Sequence, residues 1–250
     1  MKISIITVAY NSSKTISKTI ESVLAQTYSN IEFIVVDGAS LDSTMNIVKD
    51  YELNFEGRLK WISEADKGLY DAMNKGVKIA TGNLIGILNS DDTFNSNTVI
   101  EEIVNFHKVN NVEASVGDII QRNENGKIVR FYSSKHWIPE KIKIGFMPPH
   151  TSIFLKRELF DIYGFYNLGF KIGADYEFVT RLFFKNNINW KYSGITTTSM
   201  LIGGVSSSGL KSYQLITKEI EKALTMNRVV FSPFKIKMRF FWKIIGLLIK

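Results

Sequence analysis

The sequence predicts an α/β fold built around a mostly parallel central sheet that is flanked by helices. Short apolar runs rich in β-branched residues alternate with segments whose apolar residues recur at helical spacing, and each run is followed by polar or acidic residues. Short runs of β-branched apolar residues are typical of strands that are buried on both faces. Ligands of such sheets bind beyond the carboxyl ends of the strands, where the polar residues stand here.

Four apolar runs predict the strands, and we expect each to be buried on both faces. They are Ile3–Ala9, Ile31–Val36, Leu59–Ile62 and Leu84–Leu88. The order of strands and helices is therefore βαβαβαβ, which indicates a parallel sheet.

Three helices are predicted between these strands. The first has Ile16, Ile20 and Val23 at helical spacing, the second follows a start signal at Ser40–Ser43, and the third covers Tyr70–Ala80. Residues 106–200 are less regular, apart from a helical pattern at Tyr176–Phe184.

Polar residues stand where all four predicted strands end. They are Tyr10-Asn11, Asp37-Gly38, Ser63–Asp66 and Asn89–Asp92. An α/β scaffold does not need this repetition for folding, so the sequence indicates a binding site along this edge of the sheet.

Composition excludes several classes of protein. The chain has no cysteine, which rules out disulfides and thiolate chemistry, and its first residues are too quickly polar for a signal peptide. It also lacks the GxGxxG, GxxxxGK[ST], GxSxG and HExxH motifs of common dehydrogenases, phosphate-loop enzymes, serine hydrolases and zinc proteases.

The net charge of +7 is concentrated at the C-terminus. From Arg228 onward there are six basic residues and no acidic one, so residues 1–227 are nearly neutral. Without a basic stripe on the body of the chain, we expect no nucleic-acid partner.

The cluster Asn89-Ser90-Asp91-Asp92 is the sharpest local signal. Carboxylates at a strand-to-loop corner suit Mg²⁺ or Mn²⁺, which take one or two protein carboxylates and complete their coordination with water and substrate phosphates. The same residues also favour a simple turn, so both interpretations stay open.

Three other acids are candidates. Asp37 and Asp66 stand where a carboxylate could accept a hydrogen bond from a nucleoside, although a turn explains each of them alone. Asp175 begins an apolar helical stretch, either as an N-cap or as a general base, with Glu177 as the fallback base.

The histidines show no metal-ligand spacing. We expect His107 to be exposed on a helix, and His150 to be an ordinary loop residue or, less expected, a ligand of metal or phosphate. The segment Gly203–Gly209 is predicted to be a flexible loop that could fold over a diphosphate.

Several segments together carry a family resemblance. They are Ile5–Asn11, Ser22–Tyr28, Glu32–Ser40, Asp42–Thr44, Asp66–Gly76, Ala80–Gly82 and Leu88–Asp92. Over residues 1–205 the chain resembles the family 2 glycosyltransferases of the GT-A fold, an inverting family that builds bacterial polysaccharides, and Leu88–Asp92 is similar to the family's DxD metal motif.

The resemblance implies roles for particular residues. Asp37 and Asp66 would contact the nucleoside, Asp91 would bind Mn²⁺ or Mg²⁺ with Asp92 as a helper, and Asp175 would deprotonate the acceptor hydroxyl. The implied nucleotide-sugar-binding residues are Tyr10, Asn11, Asp37, Asp66, Asn74, Lys75, Asn89 and Ser90. Two positions depart from the family: Asn89 replaces the first acid of DxD, and Ala174 replaces the acid before the base.

The resemblance also implies an organisation of the chain. Residues 1–227 would form the catalytic domain, with residues 1–105 binding a nucleotide sugar and residues 106–227 binding a lipid-linked or saccharide acceptor. The donor would be a UDP-sugar by default or a GDP-sugar. A degenerate saccharide-binding or scaffold protein, and a sugar nucleotidyltransferase, are the alternatives.

Residues 228–250 predict a basic amphipathic helix that lies at a membrane surface. Lys235, Arg239, Lys243 and Lys250 form one polar stripe, and most of the remaining surface is aromatic or aliphatic. We expect this tail to bind anionic lipids peripherally, at the cytoplasmic face of the cell membrane. The alternative is a helix packed on the domain or on a dimer partner.

Overall fold

The computed structural model of the chain describes residues 1–202 and 210–239. These residues form two compact units. The first comprises Met1–Lys135, Pro148–Phe165 and Asn189–Ile202, and the second takes His136–Met147, Tyr166–Ile188 and the described residues after Ile202. Because the first unit contains much of residues 106–202, the predicted functional boundary at residue 105 is not a boundary between units, and the division of labour stays a prediction.

The four predicted strands form a parallel sheet in the first unit. They are β1 (Ile3–Ala9), β2 (Ile31–Asp37), β3 (Leu59–Ser63) and β4 (Leu84–Ile87). β1 pairs in parallel with β2 and β4, and β2 with β3. The prediction that all four are buried on both faces is wrong for β3, which is an edge strand with an exposed Lys60.

Helices follow these strands as predicted. They are α1 (Ile16–Leu24), α2 (Thr44–Asp50) and α3 (Leu69–Ile79). A fourth helix, α4 (Val99–Asn110), had no predicted bounds and carries His107, which was expected on a helix. On α1 the apolar residues Ile16, Ile20 and Val23 are buried, since their spacing places them on one face toward the sheet. These residues share a core with Phe33, Phe55 and Val99.

Five more strands complete the sheet of the first unit. They are β5 (Thr93–Phe94), β6 (Ala114–Arg122), β7 (Ile128–Tyr132), β8 (Ile153–Lys156) and β9 (Trp190–Leu201). Within residues 1–202 the strand order is β3-β2-β1-β4-β8-β6-β9-β5, with β7 added beside β6. β8 runs antiparallel to β4 and β6, while β6 and β9 are parallel. A short helix α5 (Glu158–Tyr163) follows β8.

His107 is buried on α4, which corrects the expectation that it is exposed. Its Nε2 lies 2.9 Å from the hydroxyl of Ser115 on β6, and burial lowers the pKa of the imidazole to about 4. A neutral, hydrogen-bonded histidine therefore takes a core position that its polar character on the sequence did not suggest.

The second unit is helical. α6 (Ala174–Val179) continues into a π-helix at Thr180–Lys185, in agreement with the pattern seen at Tyr176–Phe184, and α7 (Leu210–Met226) follows later. Trp137 packs edge-on against Phe183 with ring centroids 5.5 Å apart, and Tyr176 donates a hydrogen bond to the carbonyl of Ile142. These contacts tie the π-helix and α6 to the segment before Met147.

The start of the C-terminal tail packs on the second unit. Residues 233–239 are helical, with Ile236 and Arg239 buried. Arg239 donates to the carbonyl of Gly145 at 3.3 Å and lies over the ring of Tyr213. The expectation that Arg239 meets lipid headgroups is therefore wrong, because its guanidinium is held within the protein. Residues 240–250 and the predicted loop Gly203–Gly209 lie outside the described residues.

No helix within residues 1–202 and 210–239 has the length and apolar character needed to cross a membrane.

A buried carboxylate joins β2 to both of its neighbours. Glu32 accepts hydrogen bonds from Lys60 at 2.7 Å, Ser4 at 2.6 Å and the backbone of Thr81 at 2.7 Å, and it pairs with Lys2 at 3.1 Å. Burial alone would raise the pKa of Glu32, but the bonds from Lys60, Ser4 and Thr81 together outweigh it and lower the pKa to about 2.

We expect Glu32→Gln to lower the free energy of unfolding at pH 7 by about 2 kcal/mol, because the charged hydrogen bonds to the carboxylate are lost. The loss is not larger because the partner lysines are half exposed and screened by solvent. The pKa of Glu32 is lower in the folded state, so its contribution is present above about pH 4.5 and is lost as the pH falls toward 2. Urea unfolding of both proteins between pH 2.5 and pH 7 measures this. The exposed Glu52→Gln is the control, and a constant difference across this range would contradict the assignment.

Candidate active site

The ends of β1, β2 and β3 meet at one corner of the first unit. A Cβ added to Gly38 would lie 2.5 Å from Asp66 Oδ2 and 3.5 Å from the ring of Tyr10. Tyr10 follows β1, Gly38 follows β2 and Asp66 follows β3, and these strands are neighbours in the order β3-β2-β1. The adjacent parallel strands therefore bring an exposed aromatic ring and a carboxylate together across a glycine with no side chain.

Asp37 and Asn11 hold the loop that follows β2. The buried carboxylate of Asp37 accepts bonds from the backbone of Ser40 at 2.9 Å and from Ser63 Oγ at 2.7 Å. Asn11 receives the backbone N–H of Leu41 at 2.9 Å and donates its own N–H to Ser40 Oγ at 2.7 Å. Asp37 and Asn11 therefore support the loop after β2. Their direct contact with a nucleoside stays a prediction.

Asn74 and Lys75 lie on α3, with Asn74 buried. Lys75 Nζ bonds the carbonyl of Ala65 at 2.9 Å and pairs with Glu64 at 2.8 Å. The hydrogen bond with Glu64 raises the pKa of Lys75, so the ammonium stays charged beside the segment that carries Asp66. Lys75 thus orients that segment.

The corner after β4 is organised by hydrogen bonds. Asn89 Nδ2 donates to Asp92 Oδ2 at 2.9 Å, and Ser90 Oγ lies 2.8 Å from Ser12 Oγ. Asp92 is buried, and burial followed by the charge of Asp91 raises the pKa of its carboxyl to about 8. Asn89 therefore supplies an amide donor to a buried acid, which a carboxylate at position 89 could not do.

Asp91 and His150 stand beside this corner. Asp91 is half-buried, and its burial raises the pKa of the carboxyl while the nearby His150 opposes the shift. His150, in the short 3-10 helix His150–Ser152, places Nε2 3.4 Å from Asn89 Oδ1. The structure thus brings His150 to the predicted metal site, although it is separated from Asn89 by 61 residues along the chain.

Asp91, Asn89 and His150 fit a divalent cation as a partial set of ligands. In the described part of the chain there is no group of three or more His, Asp or Glu side chains that could hold a metal ion by itself. Carboxylate and amide oxygens beside an imidazole suit an ion that keeps open positions for water and phosphate oxygens. The chemistry of this set suits Mn²⁺ or Mg²⁺, and the binding of such an ion at this corner stays a prediction.

Asp175 lies in the second unit, in the first turn of α6. The N-cap of this helix is Gly173, so Asp175 is not the N-cap, and it is half-buried, with Oδ1 accepting the N–H of Tyr176 at 2.8 Å. Burial, and then the nearby carboxyl group of Asp175, raise the pKa of the Tyr166 phenol well above its usual value. Asp175 is therefore partly accessible at the start of α6.

Glu177 is a poor competitor for the role of base. Its side chain is buried, pairs with Arg181 through both oxygens at 3.0 and 2.9 Å, and accepts from Asn227 Nδ2 at 3.1 Å. A carboxylate with these partners is held in a structural ion pair.

Sequence reasoning missed several residues of the site. Ser12, Ser40 and Ser63 bond to predicted site residues, and the polar residues after each strand were the available signal for them. The proximity of His150 to Asn89 was not predicted, because no local pattern links His150 to the corner after β4.

Comparison with known proteins places the chain in a family. The family model described as "Glycosyl transferase family 2" matches residues 4–172. A PGL/p-HBAD biosynthesis glycosyltransferase of Mycobacterium bovis is 29% identical over 226 residues, covering 90% of this chain and 84% of the relative. An uncharacterized glycosyltransferase of Mycobacterium tuberculosis is 33% identical over 184 residues, covering 72% and 68%.

Solved structures share the fold at low sequence identity. S. aureus TarS 1-349 in complex with UDP-GlcNAc has a TM-score of 0.70 at 20% identity, covering 90% of this chain and 66% of that chain. The mannosyltransferase PcManGT from Pyrobaculum calidifontis in complex with GDP-Man and Mn²⁺ has a TM-score of 0.67 at 19% identity, covering 94% and 67%. The fold is GT-A, and with the family model matching most of its length, the chain belongs to glycosyl transferase family 2.

Proposed function

We propose that this chain transfers one sugar from a nucleoside diphosphate sugar to a hydroxyl of a lipid-linked or saccharide acceptor, with inversion at the anomeric carbon. The observation that carries the proposal is the alignment of site residues along one end of the parallel strands. Tyr10, Gly38 and Asp66 converge after β1, β2 and β3, and Asp91 stands with His150 after β4. TarS, with UDP-GlcNAc, and PcManGT, with GDP-Man and Mn²⁺, support a nucleotide-sugar donor.

In this proposal the donor site is built by the first unit. The exposed ring of Tyr10 and the carboxylate of Asp66 receive the nucleoside, and the Asp37 network keeps the following loop in place. Asp91, with Asn89 and His150 nearby, would hold the divalent cation. When bound there, the ion would supply positive charge against the charge that develops on the leaving diphosphate.

Asp175 is the base in this proposal. Asp175 accepts the proton of the acceptor hydroxyl. At the same time the oxygen of that hydroxyl forms the new bond to the anomeric carbon, and the bond from this carbon to the diphosphate breaks. The half-exposed position of Asp175, and the pairing of Glu177 with Arg181 and Asn227, support this choice between the two acids. Attack opposite the leaving group inverts the configuration.

Thermal unfolding with UDP, GDP or CMP, each with Mn²⁺ or with EDTA, tests the donor site. A ligand at 100 times its Kd adds about 2.7 kcal/mol to the free energy of unfolding. We expect a metal-dependent rise in Tm with UDP or GDP, and sugar release from a panel of the corresponding nucleotide sugars. Binding without turnover would favour the degenerate saccharide-binding alternative, and the absence of any shift would contradict the donor site.

We expect Gly38→Ala to weaken nucleotide binding about tenfold. The new Cβ would lie 2.5 Å from Asp66 Oδ2 and must displace that carboxylate from the corner it shares with Tyr10. Calorimetric titration with the nucleotide selected above measures the loss. Ala25→Gly, at the end of α1, is the control for a small change of side chain, and unchanged affinity in Gly38→Ala would contradict the place of Asp66 in the site.

We also propose that the tail binds anionic lipid at the cytoplasmic face of the cell membrane, where a lipid-linked acceptor of cell-surface polysaccharide synthesis would be met. Among the described residues of the tail, Val230 is 87% and Phe234 71% exposed, and Lys235 and Lys237 are exposed nearby. Apolar and basic groups together suit headgroups and the acyl boundary beneath them.

The double variant Val230→Glu/Phe234→Glu is expected to bind phosphatidylglycerol vesicles at least about tenfold more weakly, because burial of one large apolar side chain is worth about 1.5–3 kcal/mol. Co-sedimentation at low and high salt measures this. Point variants are preferable to removal of the tail, since Ile236 and Arg239 are buried in the second unit. Val109→Glu, on α4, is the exposed apolar control, and equal binding of all three proteins would contradict the anchor.

A further inference from the structure

The segment that precedes Asp175 is held by a carboxylate from another helix. Glu219 on α7 is buried and accepts three consecutive backbone N–H groups, from Lys171 at 2.7 Å, Ile172 at 2.9 Å and Gly173 at 2.7 Å. All four residues belong to the second unit. Asp175 comes two residues after the last of these donors, so the position of its backbone depends on this contact.

Backbone N–H groups just before a helix need hydrogen-bond acceptors, and here the side chain of Glu219 is the acceptor for three of them. No side-chain cap is made by Gly173 itself, which is the N-cap of α6. A charged acceptor strengthens each bond, and three bonds from successive residues fix the path of the chain as well as its distance from α7. The contact is close, since a Cβ on Gly173 would lie 3.0 Å from Glu219 Cβ and 3.2 Å from its Oε2.

Two further contacts place the same segment against α7 and its end. Lys222 Nζ bonds the carbonyl of Gly169 at 2.8 Å and lies 4.6 Å from the ring centroid of Phe170. On the other side of Asp175, Asn227 Nδ2 donates to Glu177 Oε1 at 3.1 Å. Residues 169–177 are therefore held before and after Asp175 by Glu219, Lys222 and Asn227.

We propose that Glu219 is the positioning residue for the base Asp175, acting through the backbone of Lys171–Gly173. This inference rests on the proposed function, in which Asp175 accepts the proton of the acceptor hydroxyl. A base must stay within hydrogen-bond reach of the proton that it removes, and displacement by about 1 Å can cost about 100-fold in rate. Holding the backbone of Lys171–Gly173, which ends two residues before the base, is a direct way of limiting such displacement.

The test compares Glu219→Gln with the control Glu221→Gln on the same helix, in the full chain. Hydrogen exchange of the amides at Lys171–Gly173 is measured without any ligand. We expect exchange to become at least about tenfold faster in Glu219→Gln and to stay unchanged in the control, since an amide side chain offers one acceptor oxygen in place of two charged ones. Unchanged exchange in Glu219→Gln would overturn the proposal at its structural step.

The functional step is tested by combining variants. With the donor selected by the nucleotide screen and water as acceptor, we expect Glu219→Gln to lower kcat about 10- to 100-fold while the Kd for the nucleotide stays within twofold. In an Asp175→Asn background it should cause no further loss, because it acts through the base. Equal losses in both backgrounds would overturn a positioning role and indicate a general structural one.

A milder variant covers the case in which Glu219→Gln does not fold. Gly173→Ala keeps the carboxylate but requires Glu219 to shift by a few tenths of an ångström, and its backbone conformation is open to alanine. We expect a several-fold fall in kcat that again disappears in the Asp175→Asn background. A normal rate for Asp175→Asn alone would contradict the proposed base and not the contact, which hydrogen exchange reports independently.

Discussion

Asp91→Asn is expected to reduce sugar transfer by about 10³-fold, equivalent to about 4 kcal/mol of transition-state stabilisation. Asp91 is the half-buried carboxylate of the corner after β4, whereas the neighbouring carboxyl group of Asp92 is buried and accepts a hydrogen bond from Asn89. An amide at position 91 would remove the anionic ligand of the cation, and with it the neutralisation of the diphosphate. Release of nucleotide from the donor, measured across a Mn²⁺ titration, reports the loss.

The matched control for this variant is Asp161→Asn. Asp161 is an exposed acid of the same unit that pairs with Arg157 at the surface, so its loss should change neither rate nor Tm measurably. In Asp91→Asn the rise in Tm with nucleotide should no longer depend on Mn²⁺. A rate within tenfold of the unaltered protein would show that the cation is held elsewhere or is not needed.

Asp175→Asn is expected to lower kcat by about 10² to 10⁴-fold with little change in nucleotide affinity. The amide cannot accept the proton of the attacking hydroxyl, but it matches the carboxylate in shape and can still accept the N–H of Tyr176. The variant changes none of the proposed donor-binding residues, so binding and turnover should separate. Single-turnover kinetics and calorimetry measure the two quantities.

Glu177→Gln is the decisive comparison for the base. It breaks a buried ion pair with Arg181, so we expect a loss of stability of about 3 kcal/mol, while the protein that remains folded keeps its chemical step. If Glu177→Gln abolished turnover at full occupancy and Asp175→Asn did not, the assignment of the base would be reversed.

Several features were predictable because the signals for them are local. The strands β1 to β4 are short runs rich in apolar residues, α1 has apolar residues at helical spacing, and a start signal precedes α2. Once the four strands are taken as parallel, the polar residues after them must lie along one edge. The convergence of Tyr10, Gly38 and Asp66 follows from that rule.

Other features depend on contacts between distant parts of the chain. The strands β5 to β9 are short or irregular, and their order in the sheet does not follow the order of the sequence. His107 and Arg239 were expected to be exposed, but both are buried because each finds a partner on another part of the fold. His107 bonds with Ser115, and Arg239 contacts Gly145 and Tyr213. No local pattern reports a partner that lies on another element of the fold.

The sequence by itself therefore determined the parallel half of the sheet, the edge that carries the polar residues, and the family resemblance that comparison confirms. The tertiary structure alone decided that Asn89 donates to a buried Asp92, that His150 stands beside Asn89, and that Glu219 holds the segment before Asp175. The reason is physical: periodicity records which face of an element is buried, whereas hydrogen bonding between elements depends on how the whole chain packs.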